Sequence, residues 1–160
     1  GELEQVGSGH NVYEAPRTPF VASFVGENNA FYGTVSSTNG DMVKVSSHGK
    51  DFLAKAGDLK EGKKRTFQKH DKVIMFVRPE SIFLKDQNNQ ADNVFTANLK
   101  AIEFEGNLKN IYMSIDGKQN VRCSVSNAID TTDLSNSKKV ELKFSSRDAV
   151  VLPVGPLAVD

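Results

Sequence analysis

The segment from Gly57 to Lys63 carries the residue types of a phosphate-binding loop. Two glycines flank four residues and a lysine follows the second glycine, which is most of the pattern that cradles nucleotide phosphates. That pattern also needs a Ser or Thr after the lysine to bind magnesium, and the loop must open a helix. Lys64 stands at the magnesium position, and the residues up to His70 have no helical apolar stripe. We therefore expect a solvated turn here and no ATP hydrolysis by this chain.

Histidine and cysteine side chains offer little further chemistry. The histidines lie far apart, lack the short spacings and cysteine partners of a metal site, and belong to no known nucleophile motif. We expect ordinary surface positions for His10, His48 and His70. Cys123 alternates with the apolar residues of a strand, which predicts a small buried hydrophobe, and Arg122 points to the opposite face. No catalytic, cofactor-binding or metal site is expected.

The charge balance argues against nucleic-acid binding. The chain has 20 Lys and Arg against 20 Asp and Glu, so its formal net charge is zero. Nucleic-acid binders usually carry a basic excess because phosphate contacts dominate their affinity. The dense basic run from Lys60 to His70 contains one interleaved aromatic residue, Phe67, and the chain has no Trp. An OB-type nucleic-acid-binding module is the weakest of the functions considered, and no nucleic-acid partner is expected.

Length and composition fit one domain, or one domain with a short attachment. A chain of 160 residues can bury enough surface for a core of its own. A single cysteine excludes an internal disulfide framework, which favours a reducing, cytoplasmic setting. No apolar run reaches the roughly 18–20 residues that span a bilayer. Any contact with a membrane is therefore expected to go through a partner.

From Phe31 onward apolar and polar residues alternate, and turn residues recur at short intervals, which is typical of β-strands. Strands are predicted near 31–37, 42–46, 51–55, 72–78, 94–104, 108–115, 121–126, 140–144 and 149–152. This is nearly twice the five strands of a single OB barrel. The predicted fold class is all-β, an OB-like barrel or sandwich of two β halves separated by the polar linker Lys85–Asn93. No exact repeat relates the halves.

Two hairpin registers follow from the requirement that apolar residues share one face. For the first hairpin we predict a three-residue loop, Thr38 to Gly40, which pairs Val35 with Val43 and puts Gly40 at a left-handed position. For the hairpin at Asp116, an even loop would place polar residues opposite apolar ones. An odd loop, of three or five residues starting at Asp116, is predicted instead.

A short helix is predicted before the first strand, as an N-terminal attachment. Thr18 is a suitable N-cap, Pro19 suits the first helical position, and Gly26 can end the helix in a left-handed conformation. The apolar face of this helix consists of Phe20, Val21, Phe24 and Val25.

Five segments resemble a known family in their residues and order. They are 11–29 (NVYEAPRTPFVASFVGENN), 77–82 (VRPESI), 104–107 (FEGN), 140–144 (VELKF) and 148–152 (DAVVL). The first resembles the junction between the nucleotide-binding domain of an ATP-binding cassette (ABC) importer ATPase and its C-terminal regulatory domain. The other four resemble that regulatory domain, the transport-associated OB (TOBE) domain. The ending Gly26–Asn29 is most similar to the spermidine/putrescine subgroup, while iron(III), sulfate and phosphonate importers share much of the pattern.

The resemblance implies a non-catalytic regulatory and assembly domain. Residues 1–29 would be the remnant of the nucleotide-binding domain with its linker, and 30–160 the TOBE domain. The phosphate loop, signature, Asp-Glu strand and switch histidine of the family lie upstream of the junction and are not in this chain, so ATP and magnesium would belong to the parent subunit. The implied localisation is cytoplasmic, peripheral to the inner membrane through the transporter complex.

The resemblance also implies partners and contact residues. Partners would be the chain's own nucleotide-binding domain, a second copy in a homodimer, and the membrane permease subunits through the parent ATPase. Pro79 ends the most apolar strand, and Arg78 and Glu80 beside it are candidates for contact between domains. The complete set of contact candidates is Phe20, Phe24, Glu27, Asn28, Asn29, Arg78 and Glu80. Because related TOBE barrels bind oxyanions at subunit interfaces, a small-ligand or oxyanion sensor is the alternative function.

Overall fold

The structure is a computed structural model that describes residues 28–57, 66–85, 87, 90–135 and 139–154. The predicted N-terminal helix and the turn from 58 to 65 lie outside the described residues. The strands are β1 (Asn29–Asn39), β2 (Met42–Ser47), β3 (Lys50–Ala56), β4 (Lys72–Val77), β5 (Phe83–Leu84), β6 (Asn93–Glu105), β7 (Leu108–Ile115), β8 (Gln119–Ser126), β9 (Lys139–Phe144) and β10 (Ala149–Pro153). One short helix, α1 (Thr132–Ser135), precedes β9.

The strands form two OB-like halves. Strands β1, β2, β3, β10 and β4 close into a barrel, and β5, β9, β6, β7 and β8 form a five-stranded sheet in that order. The all-β fold class predicted from alternation is confirmed, and each strand predicted from the sequence is present. The additional strand β5 has only two residues, too few to show any alternation.

The predicted linker separates strands β1 to β5 from strands β6 to β10, as expected, but it does not separate the two sheets. Lys85–Asn93 connects β5 to β6, which both belong to the second sheet. The chain crosses to the second sheet earlier, through a 3₁₀ turn at Pro79–Ser81, and crosses back through another at Ser146–Asp148. Strand β10 then pairs antiparallel with β4 and parallel with β3 of the barrel. The two halves therefore exchange their last strands.

The two halves repeat one arrangement, although no exact sequence repeat shows it. Each consists of four strands, a 3₁₀ turn and a last strand that joins the other half's sheet. The first strand of each starts with Asn-x-Phe, at Asn29 and Asn93. Each first strand also carries a bulge at the same distance from that asparagine, at Ser36 in β1 and at Lys100 in β6. We infer an internal structural duplication.

The first hairpin differs from the predicted one. Asn39 pairs with Met42, so its loop is the two-residue Gly40-Asp41 and the predicted three-residue loop is wrong. The register shift at Ser36 restores parity, because it pairs Val35 with Val45 and keeps both side chains in the core. The apolar residues share one face as predicted, but the extra residue that achieves this lies inside the strand instead of in the loop.

The hairpin at Asp116 confirms its prediction. Ile115 pairs with Gln119, which leaves a three-residue loop from Asp116 to Lys118. Met113 then opposes Val121 and Ile111 opposes Cys123, and all four side chains are buried.

Gly33 lets β1 and β2 approach closely. A Cβ atom at this position would lie 2.2 Å from the Ser46 carbonyl oxygen, far inside van der Waals contact. We expect Gly33→Ala to lower the free energy of unfolding by about 1–3 kcal/mol, as overpacking of a core does. Ser37→Ala, at an exposed position of the same strand, should stay within about 0.5 kcal/mol. Equal urea denaturation midpoints for the two variants would contradict this close approach.

Candidate functional site

Asn29 joins the first residue of β1 to the second half. Its Nδ2 donates to the Arg122 carbonyl oxygen at 2.8 Å, and its Oδ1 accepts from the Arg122 N–H at 2.7 Å. The side chain is 4% exposed. Strand β8 is an edge strand of the second sheet. The Asn29 side chain hydrogen-bonds both the N–H and the carbonyl oxygen of Arg122 in this strand, as the backbone of a neighbouring strand would. We call this paired contact the Asn29 clamp.

Asn93 makes the reciprocal contact, which we call the Asn93 clamp. Its Oδ1 accepts from the Leu53 N–H at 2.8 Å, and its Nδ2 donates to the Leu53 carbonyl oxygen at 2.8 Å. Leu53 lies in β3, the third strand of the first half, as Arg122 lies in the third strand of the second. The two clamps therefore obey the same internal symmetry as the strands and fix the halves at two separate points.

Between the clamps lies a cluster of four buried phenylalanines. The barrel contributes Phe31 and Phe52, and the second sheet contributes Phe95 and Phe144. Ring centroids are 5.7–6.5 Å apart for every pair in the cluster, within the range of favourable aromatic contacts. The junction is thus a packed core with polar clamps at its ends.

Four of the predicted contact candidates lie near one end of the barrel, at Asn28, Asn29, Arg78 and Glu80. Asn29 pairs with Val77, so Asn28 and Arg78 are neighbours at the same end of the barrel. Glu80 follows in the 3₁₀ turn, with Arg78 and Glu80 exposed around the buried Pro79. Asn28 also lines a depression of about 340 Å³ with Tyr112 and Arg122. The structure brings these candidates together. Phe20, Phe24 and Glu27 lie outside the described residues.

The 3₁₀ turn also packs on β8. Cys123 Sγ donates to the Ile82 carbonyl oxygen at 3.0 Å. Burial raises the pKa of the Cys123 thiol to about 12, so the side chain stays a neutral thiol at physiological pH. The prediction of a small buried hydrophobe at Cys123 is confirmed.

A polar cleft lies on the other side of the junction, between two tight turns. His48 and Gly49 in one turn and Asp116 and Gly117 in the other have positive φ, 53° and 77°, and 52° and 69°. A positive φ is uncommon in residues other than glycine, so His48 and Asp116 hold an unusual backbone conformation. His48 Nε2 lies 3.3 Å from Gln119 Oε1, so the first turn contacts the start of β8 directly after the second turn.

The cleft has a volume of about 110 Å³. Its lining includes the side chains of His48, Lys50, Lys139 and Asp116 and the hydroxyl or amide groups of Ser47, Thr96 and Asn98. Apolar side chains, including Phe52 and Phe95, form the rest. Sequence reasoning treated His48 as an ordinary surface residue and did not single out the lysines or Asn93. The signal in the sequence that could have identified Asn29 and Asn93 is the repeated Asn-x-Phe, which begins the first strand of each half.

The described residues contain no helix long and apolar enough to cross a membrane. In the same residues, no group of three or more His, Cys, Asp or Glu side chains is arranged to hold a metal ion.

These features define an OB-like, duplicated β-barrel domain. Residues 75–152 match the family model of the TOBE domain, and this part of the chain belongs to the TOBE domain family.

Named relatives agree with this assignment. The chain is 31% identical over 112 residues to a spermidine/putrescine import ATP-binding protein of Trichodesmium erythraeum, covering 69% of this chain and 27% of that protein. It is 29% identical over 154 residues to the protein of the same name in Aster yellows witches'-broom phytoplasma, covering 96% and 32%. The chain therefore spans about a third or less of the length of these relatives.

A solved structure shares the fold. The cytoplasmic molybdate-binding protein ModG, in a form with molybdate bound, superposes with a TM-score of 0.61 at 16% identity, covering 78% of this chain and 96% of that one. At this identity the likeness concerns the fold alone.

The clamps yield a stability prediction. Asn29→Ala and Asn93→Ala each leave a buried backbone N–H and carbonyl without partners, which costs about 1–3 kcal/mol per group. Asn29→Asp keeps the acceptor but sets a carboxylate against the Arg122 carbonyl oxygen, so it should also destabilise. Asn120→Ala, at an exposed position of β8, is the matched control. If thermal melts of both alanine variants coincide with that of the control, the clamps do not stabilise the junction.

Proposed function

We propose that this chain is a non-catalytic regulatory and assembly module of an importer ATP-binding subunit. The membership of residues 75–152 in the TOBE family and the chain's similarity to import ATP-binding proteins support this function. The observation that carries it is the position of the Asn29 clamp. The residue that follows the N-terminal segment bonds directly to the second half, so a displacement of whatever precedes Asn28 reaches both halves.

The mechanism is a bias on conformation. A module that contacts one state of its ATPase better than another shifts the equilibrium by the difference in contact free energy. The exposed Arg78 and Glu80, beside the point of entry, are the side chains we assign to such contacts. Residues 1–29 would belong to the nucleotide-binding domain and its linker, and 30–160 to the regulatory module. ATP and magnesium would be bound by the nucleotide-binding domain, not here.

We further propose a polyamine importer as the parent complex, because the relatives named above are spermidine/putrescine import proteins. Iron, sulfate and phosphonate importers are the alternatives. The partners would be the nucleotide-binding domain, a second copy of the chain and the permease subunits, on the cytoplasmic face of the inner membrane.

A chimera tests the regulatory role. The matching segment of the Trichodesmium relative is replaced by this chain, and ATP hydrolysis is measured with and without its permease subunits. We expect hydrolysis in the chimera, none in the isolated chain, and a several-fold loss of permease stimulation with Arg78→Glu. Lys72→Glu, an exposed change at the opposite end of β4, is the control. Identical stimulation in the two variants would exclude the contact that we assign to Arg78.

The cleft between the two turns favours a second function, sensing of a small oxyanion. Its lining has two lysines, Lys50 and Lys139, and the imidazole of His48 against one carboxylate, Asp116. Calorimetric titration with sulfate and with molybdate tests this function. We expect saturable binding that Lys50→Glu abolishes and Lys44→Glu, on the exposed face of β2, does not. No heat at about 1 mM ligand, or equal binding by both variants, would reject it.

A further inference from the structure

The internal duplication reveals a strand position that is filled in one half and open in the other. In the first half, β10 runs beside β4 along its length, from Ala149 opposite Val77 to Pro153 opposite Val73. In the second sheet the equivalent strand is β5, which the first half contributes, and it pairs with Leu142 and Lys143 of β9. Within the described residues, no strand pairs with Val140 and Glu141 of β9 on that side.

Strand β5 stops because the chain turns back on itself. The Gln87 N–H donates to the Leu84 carbonyl oxygen at 3.0 Å, and the Gln87 side-chain Oε1 accepts from the Leu84 N–H at 2.8 Å. Gln87 thus satisfies the end of β5 locally, where β10 instead continues through Leu152 and Pro153. A short edge strand that ends in a turn leaves the neighbouring strand available for pairing.

A groove of about 550 Å³ lies at this open position. Its apolar lining comes from three elements, with Leu84 from β5, Val140 from β9, and Ile129 and Leu134 from the segment that contains α1. This combination of an unpaired strand and an apolar floor is the form in which sheets accept an added strand.

The rim of the groove carries three acidic and two basic side chains. Asp130, Asp133 and Glu141 line it together with Lys85 and Lys139. The Thr132 hydroxyl and N–H both donate to Asp130 Oδ1, at 2.6 and 2.9 Å. These bonds lower the pKa of Asp130, so its carboxylate stays ionised well below neutral pH.

The register of β5 and β9 predicts which kinds of residue an added strand would need at each position. Continuing the line of β5 places one residue opposite Glu141 and the next opposite Val140, the positions that Leu152 and Pro153 occupy opposite Ile74 and Val73 in the first half. Directly opposed residues in an antiparallel pair share a face and interact. A basic residue suits the position opposite Glu141, and an apolar residue suits the position opposite Val140.

We propose that this groove binds an extended segment of a partner protein as an added strand beside β9, and that the segment alternates basic and apolar residues. The backbone of β9 supplies the pairing, the apolar floor accepts the inward side chains, and the carboxylates of Asp130, Asp133 and Glu141 attract the basic ones. The proposal does not depend on the function assigned above.

The test uses a defined peptide and the chain as it exists. The amide of Lys-Val-Lys-Val-Lys is titrated into the ¹⁵N-labelled chain up to about 1 mM, with backbone amide shifts as the readout. We expect saturable shifts confined to Leu84, Val140, Glu141 and their neighbours. Lys-Lys-Lys-Val-Val, of the same composition without alternation, should bind at least fivefold more weakly, and Glu-Val-Glu-Val-Glu should not bind.

Two charge reversals locate the site. Glu141→Lys and Asp133→Lys should each weaken binding at least fivefold, while Glu103→Lys, an exposed change on β6 outside the groove, should not. If Glu141→Lys perturbs folding, as seen in its own spectrum, Asp133→Lys alone decides. Shifts scattered over the surface, equal losses with Glu103→Lys, equal binding of the two basic peptides, or no shifts at all would each overturn the proposal.

Discussion

The mutual burial of four phenylalanine rings is the interaction on which the rest of the structure depends. Phe31 and Phe52 of the barrel are covered by Phe95 and Phe144 of the second sheet, and all four are essentially inaccessible to solvent. Burying one such side chain is worth about 1.5–3 kcal/mol, and each half would lose that contribution if separated from the other. Neither half has a complete core of its own, so the two fold as one unit.

The polar contacts at the junction follow from that shared core. Packing the halves together brings half-buried backbone of one strand in each, at Leu53 and at Arg122, into the junction, and backbone groups removed from water must find partners. The asparagine clamps supply those partners. In addition, each of the exchanged strands β5 and β10 pairs with strands of the other half. A core, two clamps and exchanged strands join the halves at several separate points, which is what the regulatory function proposed above requires of the module.

Much of the fold was predictable because alternation and turn chemistry are local. The strands, the odd loop at Asp116 and the burial of Cys123 all follow from period-two patterns. The bulge at Ser36 was not predictable, since an extra residue restores parity equally well in the loop or in the strand. The junction was missed for another reason: Asn29 and Asn93 satisfy backbone groups distant in sequence, and no local pattern records such pairing.

Departures from the internal symmetry are more informative than the symmetry itself. If the duplication were exact, β5 and β10 would have the same length. Instead, β10 has five residues and completes the barrel, whereas β5 ends after two residues. The difference is local, because Gln87 satisfies the end of β5 where Leu152 and Pro153 continue the equivalent strand. An exposed edge invites aggregation unless it is short, charged or covered. Here charged side chains surround the open edge of β9, which protects it from pairing at random while leaving it accessible to a strand of complementary charge.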